Sequence, residues 1–200
     1  MNALEKRTID ISYRMQLTHV SSCLNCVNLI DWIYEQRKDD EPFILGNGHA
    51  GLALYVVLEK YGLCDAEKMV EKHGVHPNRD MEHGIYCSSG SLGQAETVAV
   101  GMALADKNRK VWLVTSDGSC MEGATQEALR VGDKFCRSNL ETFVVHNGFG
   151  AYGKILNHEL PRFSNVRIYY VDQARYPKWL QGLDGHYLKL TKEQHAELMA

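Results

Sequence analysis

The chain predicts an α/β fold, a doubly wound and mostly parallel sheet flanked by helices, and three observations carry that expectation. A short apolar run, Val111 to Val114, is too dense for a strand with one wet face and suits a buried parallel strand. Asp117-Gly118-Ser119 follows at its carboxyl end, and Glu122 to Phe135 is then rich in helix formers, among them Ala124, Ala128, Leu129 and Val131. A second β-rich run, Thr142 to Val145, delivers His146-Asn147-Gly148. Strand, turn, helix and strand in that order make a crossover unit whose ligand sits beyond the strand ends.

The remaining elements follow in order. Residues 3 to 17 read as a helix with Leu4, Ile11 and Met15 on one face. After His19, the side chains Leu24, Val27, Ile30, Ile33 and Tyr34 recur at helical spacing, which gives a second amphipathic helix. Phe43 to Leu45 is a short buried strand, and Ala50 to Tyr61 is an apolar helix entered through the turn Gly46-Asn47-Gly48-His49. Asp65 caps a helix over residues 66 to 73 that Gly74 ends. Leu92 to Ala105 is a helix rich in small residues, and Ala95, Ala99 and Ala103 on one face invite the close approach of another helix. Val166 to Val171 is the last strand, and Thr191 with Gln194 forms a capping box for a terminal helix.

Composition narrows the function classes. Two hundred residues with 44% hydrophobic content suit one globular domain, residues 1–200, with a substantial core. The net charge of −3, with both signs interspersed, offers no surface for nucleic acid or an anionic membrane. No apolar run approaches the roughly 18 residues of a spanning helix, and no leader is expected ahead of the first helix, so the expected location is the cytoplasm. The six cysteines lack a disulfide or zinc layout. Cys23 and Cys26 have redox spacing without a second pair, and small buried positions on a helix suit them better.

Two oxygen donors emerge at the strand ends, Asp117 and Asn147, thirty residues apart. On adjacent parallel strands they could share one hard cation. A carboxylate, an amide oxygen and a backbone carbonyl leave room for phosphate oxygens in an octahedral Mg²⁺ shell. The amides of Gly118 and Ser119, near a helix start, can meet the anion, as can the turn before His49. The same residues taken singly also suit an ordinary turn Asp and turn Asn.

The whole pattern resembles the thiamine-diphosphate motif of transketolases, which the family writes GDG…N. Asp117, Gly118, Met121, Glu122, Gly123, Glu127, Asn147 and Gly153 fall in register with it, while Ser116 replaces the first Gly and Tyr152 the usual Asp. A side chain at position 116 would be strained by about 1–2 kcal/mol if the backbone there needs a positive φ. The run PFILGNGH resembles the family's R-F-[IV]-L-S-x-G-H, which matches His49 to a histidine beside the diphosphate. Gly90-Ser91-Leu92-Gly93-Gln94 is similar to the T-G-[SP]-L-G-Q-G loop that holds the middle of the cofactor. His76, fourteen residues earlier, and His19, ahead of its amphipathic helix, match sugar-contacting histidines. His73 and His83 have no match and are expected at the surface. The tail YPKWLQGLDGHYLKLTKEQ resembles that of small transketolase subunits, which matches His186 to a histidine over the diphosphate and substrate. Alternatively, Asp184-Gly185-His186 is the family's internal D-G-H. Between Gly153 and the last strand the chain is short by one strand–helix unit relative to the family, so a reduced sheet is expected.

The resemblance implies an enzyme that moves a two-carbon ketol unit between sugars, often phosphates. Thiamine diphosphate is its cofactor, with Mg²⁺ or a substituting Ca²⁺ or Mn²⁺ held by Asp117, Asn147 and the Phe149 carbonyl. His49, Gly90, Ser91, Leu92, Gly93, Ser116, Gly118, Ser119, Glu122 and His186 are the cofactor-side residues. His19, His49, His76 and His186 are the catalytic candidates. The family's activating glutamate sits on a pyrimidine-binding domain, expected on a second transketolase-type subunit in an assembly of two copies of each chain. Two other readings remain at this point: a different thiamine-diphosphate enzyme, such as a 1-deoxyxylulose-5-phosphate synthase or a 2-oxoacid dehydrogenase subunit, and a non-catalytic binding or regulatory relative.

Overall fold

The computed structural model describes residues 1–150 and 153–200; Tyr152, the departure noted above, lies outside the described residues. In chain order the elements are α1 (Ala3–Arg14), α2 (Val20–Gln36), β1 (Phe43–Leu45), α3 (Gly51–Lys60), α4 (Ala66–His73) and α5 (Gln94–Ala105). Then come β2 (Val111–Ser116), α6 (Asp117–Cys120), α7 (Gly123–Phe135), β3 (Leu140–His146), β4 (Phe149–Gly150), β5 (Gly153–Lys154) and β6 (Val166–Tyr170). Helices α8 (Gly182–His186) and α9 (Lys192–Met199) complete the chain. Two compact units emerge. A helical unit comprises Met1–Glu35, His49–His76 and Gln173–Ala200, and a sheet unit comprises Gln36–Gly48 and Pro77–Asp172.

Local chemistry sets the helix ends of the helical unit. Asn2 and Glu5 form a capping box at the start of α1. The helix stops at Arg14, three residues short of the expected end, and Gln16 then turns the chain at φ 52°. Asp65 accepts from the amides of Glu67 and Lys68, and Gly74 ends α4 at φ 72°. Thr191 and Gln194 cap α9 reciprocally. Cys23 and Cys26 are fully buried on α2, as small core residues. Among the described residues no helix is long and apolar enough to cross a membrane.

The sheet unit carries four parallel strands in the order β1-β2-β3-β6. Strand β2 is buried along nearly its whole length, as its unbroken apolar run predicts. Between β3 and β6 the described residues hold the short antiparallel pair β4–β5 and one 3₁₀ turn, so the sheet is reduced as expected. Helix α5 starts at Gln94 rather than Leu92 because Gly93, at φ 87°, cannot belong to a helical turn. Its small face packs against another helix, as its spacing predicts. Ala95, Ala99 and Ala103 are almost fully buried against Leu113, Leu129 and Leu140 of the same unit. The helix that approaches closely is α7, and the outward face of α5 is Thr97, Val98, Gly101 and Leu104. His73 and His83 are half-buried rather than exposed, and the His83 ring lies 2.9 Å from Asp80 Oδ2.

Candidate active site

The parallel register of β2 and β3 pairs Ser116 with Val145, so the next residues, Asp117 and His146, stand side by side at the carboxyl end of the sheet. Asp117 is 1% exposed, and its carboxylate is held from every side. Oδ2 accepts from His146 Nδ1 at 2.8 Å, from the Asn147 amide at 3.0 Å and from the Gly148 amide at 2.8 Å. Oδ1 accepts from the Gly118 amide at 2.9 Å. A carboxylate offers about four lone-pair sites, so Oδ2 is saturated while Oδ1 keeps one free. Asn147 Oδ1 likewise accepts one bond, from the Phe149 amide at 2.9 Å, and retains a second lone pair. Hard oxygen donors with one lone pair each suit a small divalent cation.

The turn after β2 is built differently from the expected open anion cradle. Ser116 lies in extended backbone at φ −112°, so its side chain carries no strain. It caps α6 by accepting from the Ser119 amide at 3.1 Å. The Gly118 and Ser119 amides are therefore both engaged by side chains of their own turn.

Leu92, Gly118 and Glu122 line one cavity of about 320 Å³ together with Gly150 and Ile155. That volume lies at the lower end of ordinary ligand pockets. Gly90 adopts φ 146° and Gly93 φ 87°, backbone that side chains rarely take, and the exposed Ser91 sits between them. The Gly46–Gly48 turn packs directly on this loop. A Cβ at Gly48 would lie 2.5 Å from both the Gly90 nitrogen and the Ser89 carbonyl carbon. Buried polar atoms cluster here, since Asn47 Oδ1, Ser89 Oγ and Glu96 Oε2 have no hydrogen-bond partner among the described residues. Gly48→Ala is expected to cost about 1–3 kcal/mol of stability through overpacking, read from urea denaturation. An unchanged midpoint would show that the turn can relax.

The helical unit gathers the four predicted histidines. His19 Nδ1 and His186 Nε2 lie 3.0 Å apart, and Ser22 Oγ is 3.1 Å from His186 Nδ1. Ring centroids of His49 stand 5.3 Å from His19 and 5.0 Å from His186, and the exposed His76 is 6.1 Å from His19. His19 sits at φ 66° and donates its amide to the His186 carbonyl, so backbone and ring are tied to the same partner. Burial, reinforced by the His186 and His76 charges, lowers the His19 pKa to about 4. Burial, with His186, His19 and His76 adding to it, lowers His49 to about 3. His186 is lowered by burial as well. The His19 and His49 rings are therefore neutral at pH 7, each with one donor and one acceptor nitrogen.

A pH dependence of stability follows. Below about pH 6.5 the unfolded histidines take up protons that the folded His19 and His49 refuse down to about pH 4 and 3. Stability therefore falls as pH drops through that window, by about 1.4 kcal/mol per histidine per pH unit. The denaturation midpoint is expected to decline from pH 7 to pH 5, and less steeply in His49→Asn. Identical slopes in both proteins would exclude His49 as a source.

Sequence reasoning missed three residues, one in the helical unit and two in the sheet unit. His146 was passed over although the register of two parallel strands puts it beside Asp117. Ser22, the third residue of α2, carries no motif. Glu96 is fully buried and accepts a hydrogen bond from Thr115 Oγ1, in space that exists because residue 46 is glycine; a Cβ there would stand 2.6 Å from Glu96 Oε1.

Residues 28–159 match a family described as transketolase, thiamine diphosphate binding domain. The chain is 29% identical over 163 residues to one subunit of the apulose-4-phosphate transketolase of Phocaeicola vulgatus, an alignment covering 71% of this chain and 57% of that protein. It is 30% identical over 136 residues to a transketolase of Rhodobacter capsulatus, covering 58% of this chain and 20% of that protein. The transketolase structure from Campylobacter jejuni superposes with a TM-score of 0.63 at 21% identity, over 76% of this chain and 28% of that one, which is a likeness of fold. The chain thus spans 57% of the first of these relatives and about a fifth of the second.

Proposed function

Because the chain belongs to the transketolase family through its thiamine-diphosphate-binding domain, we propose that it is the diphosphate-binding half of an enzyme transferring a two-carbon ketol unit between sugars, often sugar phosphates. The observation that carries this reading is the Asp117 carboxylate, fully buried and held by four donors with one lone pair spare, beside Asn147 with another. Calorimetric titration of the chain, assembled with its second subunit, with thiamine diphosphate tests it: binding is expected with Mg²⁺, Ca²⁺ or Mn²⁺ and not in EDTA. Binding indifferent to the metal would overturn the assignment.

Thiamine diphosphate, when bound, supplies the electron sink for carbon–carbon bond chemistry. The chain's residues hold and orient. Asp117, Asn147 and the Phe149 carbonyl take the cation, while Gly90 to Gly93, Ser116, Gly118, Ser119 and Glu122 shape the cofactor's surroundings. His49 and His186 are assigned to the cofactor side, and His19, His76 and His186 to sugar hydroxyls and a proton near the reacting carbons. The lowered pKa of His19 and His186 suits that work, because a neutral imidazole can accept a proton and return it. The pyrimidine-binding domain is assigned to a second polypeptide, two copies of each chain making the enzyme, by analogy with the Phocaeicola vulgatus relative, whose name makes it one of an enzyme's subunits. The proposed place of work is the cytoplasm, in carbohydrate metabolism.

His76 separates sugar chemistry from cofactor binding. His76→Ala is expected to leave cofactor affinity near normal while lowering kcat of the assembled enzyme about 10²–10³-fold, the usual loss for one preorganised donor. Normal turnover with unchanged KM would make His76 a bystander.

A further inference from the structure

We infer that His146 is a positioning residue for Asp117, its Nδ1–H pinning one carboxylate oxygen so that the other is presented to the cation; the inference rests on Asp117 being the metal ligand. His146 Nδ1 lies 2.8 Å from Asp117 Oδ2, and both side chains are almost completely buried. A carboxylate only accepts, so Nδ1 carries the hydrogen. The two backbone amides that also reach Oδ2 come from Asn147 and Gly148, directly after His146 on the same loop. His146 itself is held twice. Its backbone carbonyl accepts from the Val171 amide at 3.0 Å, and the Tyr170 ring meets the imidazole edge-on at 5.5 Å. The backbone of His146 is thus anchored to the end of β6 and its ring packs on Tyr170, and the carboxylate cannot rotate without abandoning the imidazole.

This arrangement acts before any metal arrives. A ligand already in its binding orientation costs the cation nothing to order, and loss of such an outer partner typically weakens metal binding 10- to 100-fold. The atom that matters is Nδ1 alone. An asparagine places its amide nitrogen near the Nδ1 position, whereas a glutamine places it near Nε2, so the two amides give opposite predictions.

The experiment titrates Mn²⁺ into the chain assembled with its second subunit, with thiamine diphosphate present, reading free Mn²⁺ by electron paramagnetic resonance. His146→Asn is expected to bind within a few-fold of the wild type, and His146→Gln and His146→Leu about 10- to 100-fold more weakly. Nitrogen NMR of the metal-free protein is expected to show a hydrogen on His146 Nδ1. Equal affinities for the asparagine and glutamine variants overturn the inference, and that comparison stands even if the leucine variant fails to fold. A directly coordinated imidazole nitrogen in the Mn²⁺ spectrum overturns it too, by making His146 a ligand. If the wild type takes up no Mn²⁺ with thiamine diphosphate, the metal assignment of Asp117 fails first and the inference falls with it, a result set apart by needing no variant.

Discussion

Replacing Asp117 by alanine is expected to abolish Mg²⁺-dependent binding of thiamine diphosphate and to destabilise the protein. Among the proposed ligands it supplies the one anionic side chain, so the cation would lose its strongest protein contact. The same change strands four donors, the ring of His146 and the amides of Gly118, Asn147 and Gly148, in a site that is almost sealed. Leaving a buried donor without its acceptor costs about 1–3 kcal/mol. Asp117→Asn separates the two effects, since its amide oxygen still accepts the loop donors while its charge is gone. Calorimetry and urea denaturation read them independently. Unchanged cofactor affinity in a folded Asp117→Ala protein would remove Asp117 from the site.

The second large effect concerns assembly. Purified alone, the chain is expected to show no ketol transfer even with saturating Mg²⁺ and thiamine diphosphate, and addition of a partner carrying the pyrimidine-binding domain is expected to restore it. The reason is chemical: in the proposed enzyme the glutamate that activates the aminopyrimidine belongs to that second polypeptide. A cofactor shared in this way needs a persistent interface, and obligate interfaces commonly bury about 2,000 Å² or more. Light scattering on the mixture should give the mass of two copies of each chain. Robust turnover by this chain alone would mean that no outside glutamate is required, and the split-enzyme proposal would fail.

Those parts of the fold that local chemistry decides were legible in the sequence. Phe43–Leu45 is the strand expected, Asp65 and Gly74 bound their helix, and Thr191 with Gln194 starts the last one. The parallel order of the strands carrying Asp117 and Asn147 followed from one crossover unit. Features set by distant neighbours were not legible. Helical spacing places Ala95, Ala99 and Ala103 on one face, yet only packing decides that α7 covers it. The buried Glu96 depends on a glycine fifty residues earlier. The amides of Gly118 and Ser119 looked open to an anion because a sequence does not show that Asp117 and Ser116 turn back onto them. Strand register was the missing datum for His146, because a shift of one residue would put another side chain beside Asp117.

The buried cysteines give the molecule internal clocks. Cys23 belongs to the helical unit and Cys120 to the sheet unit, each 1% exposed or less. Burial pushes the Cys23 thiol up to about 12 and raises Cys120 as well, so neither supplies thiolate to a reagent while its surroundings stay closed. A disulfide-forming chromophore added to the native protein would react first at the half-buried Cys64 and Cys87. The later phases would then time the transient openings that expose each sealed thiol. Mass spectrometry of the tagged peptides would assign a separate opening rate to each unit. Mn²⁺ with thiamine diphosphate should slow the Cys120 phase selectively, since Cys120 lies three residues from Asp117 on α6.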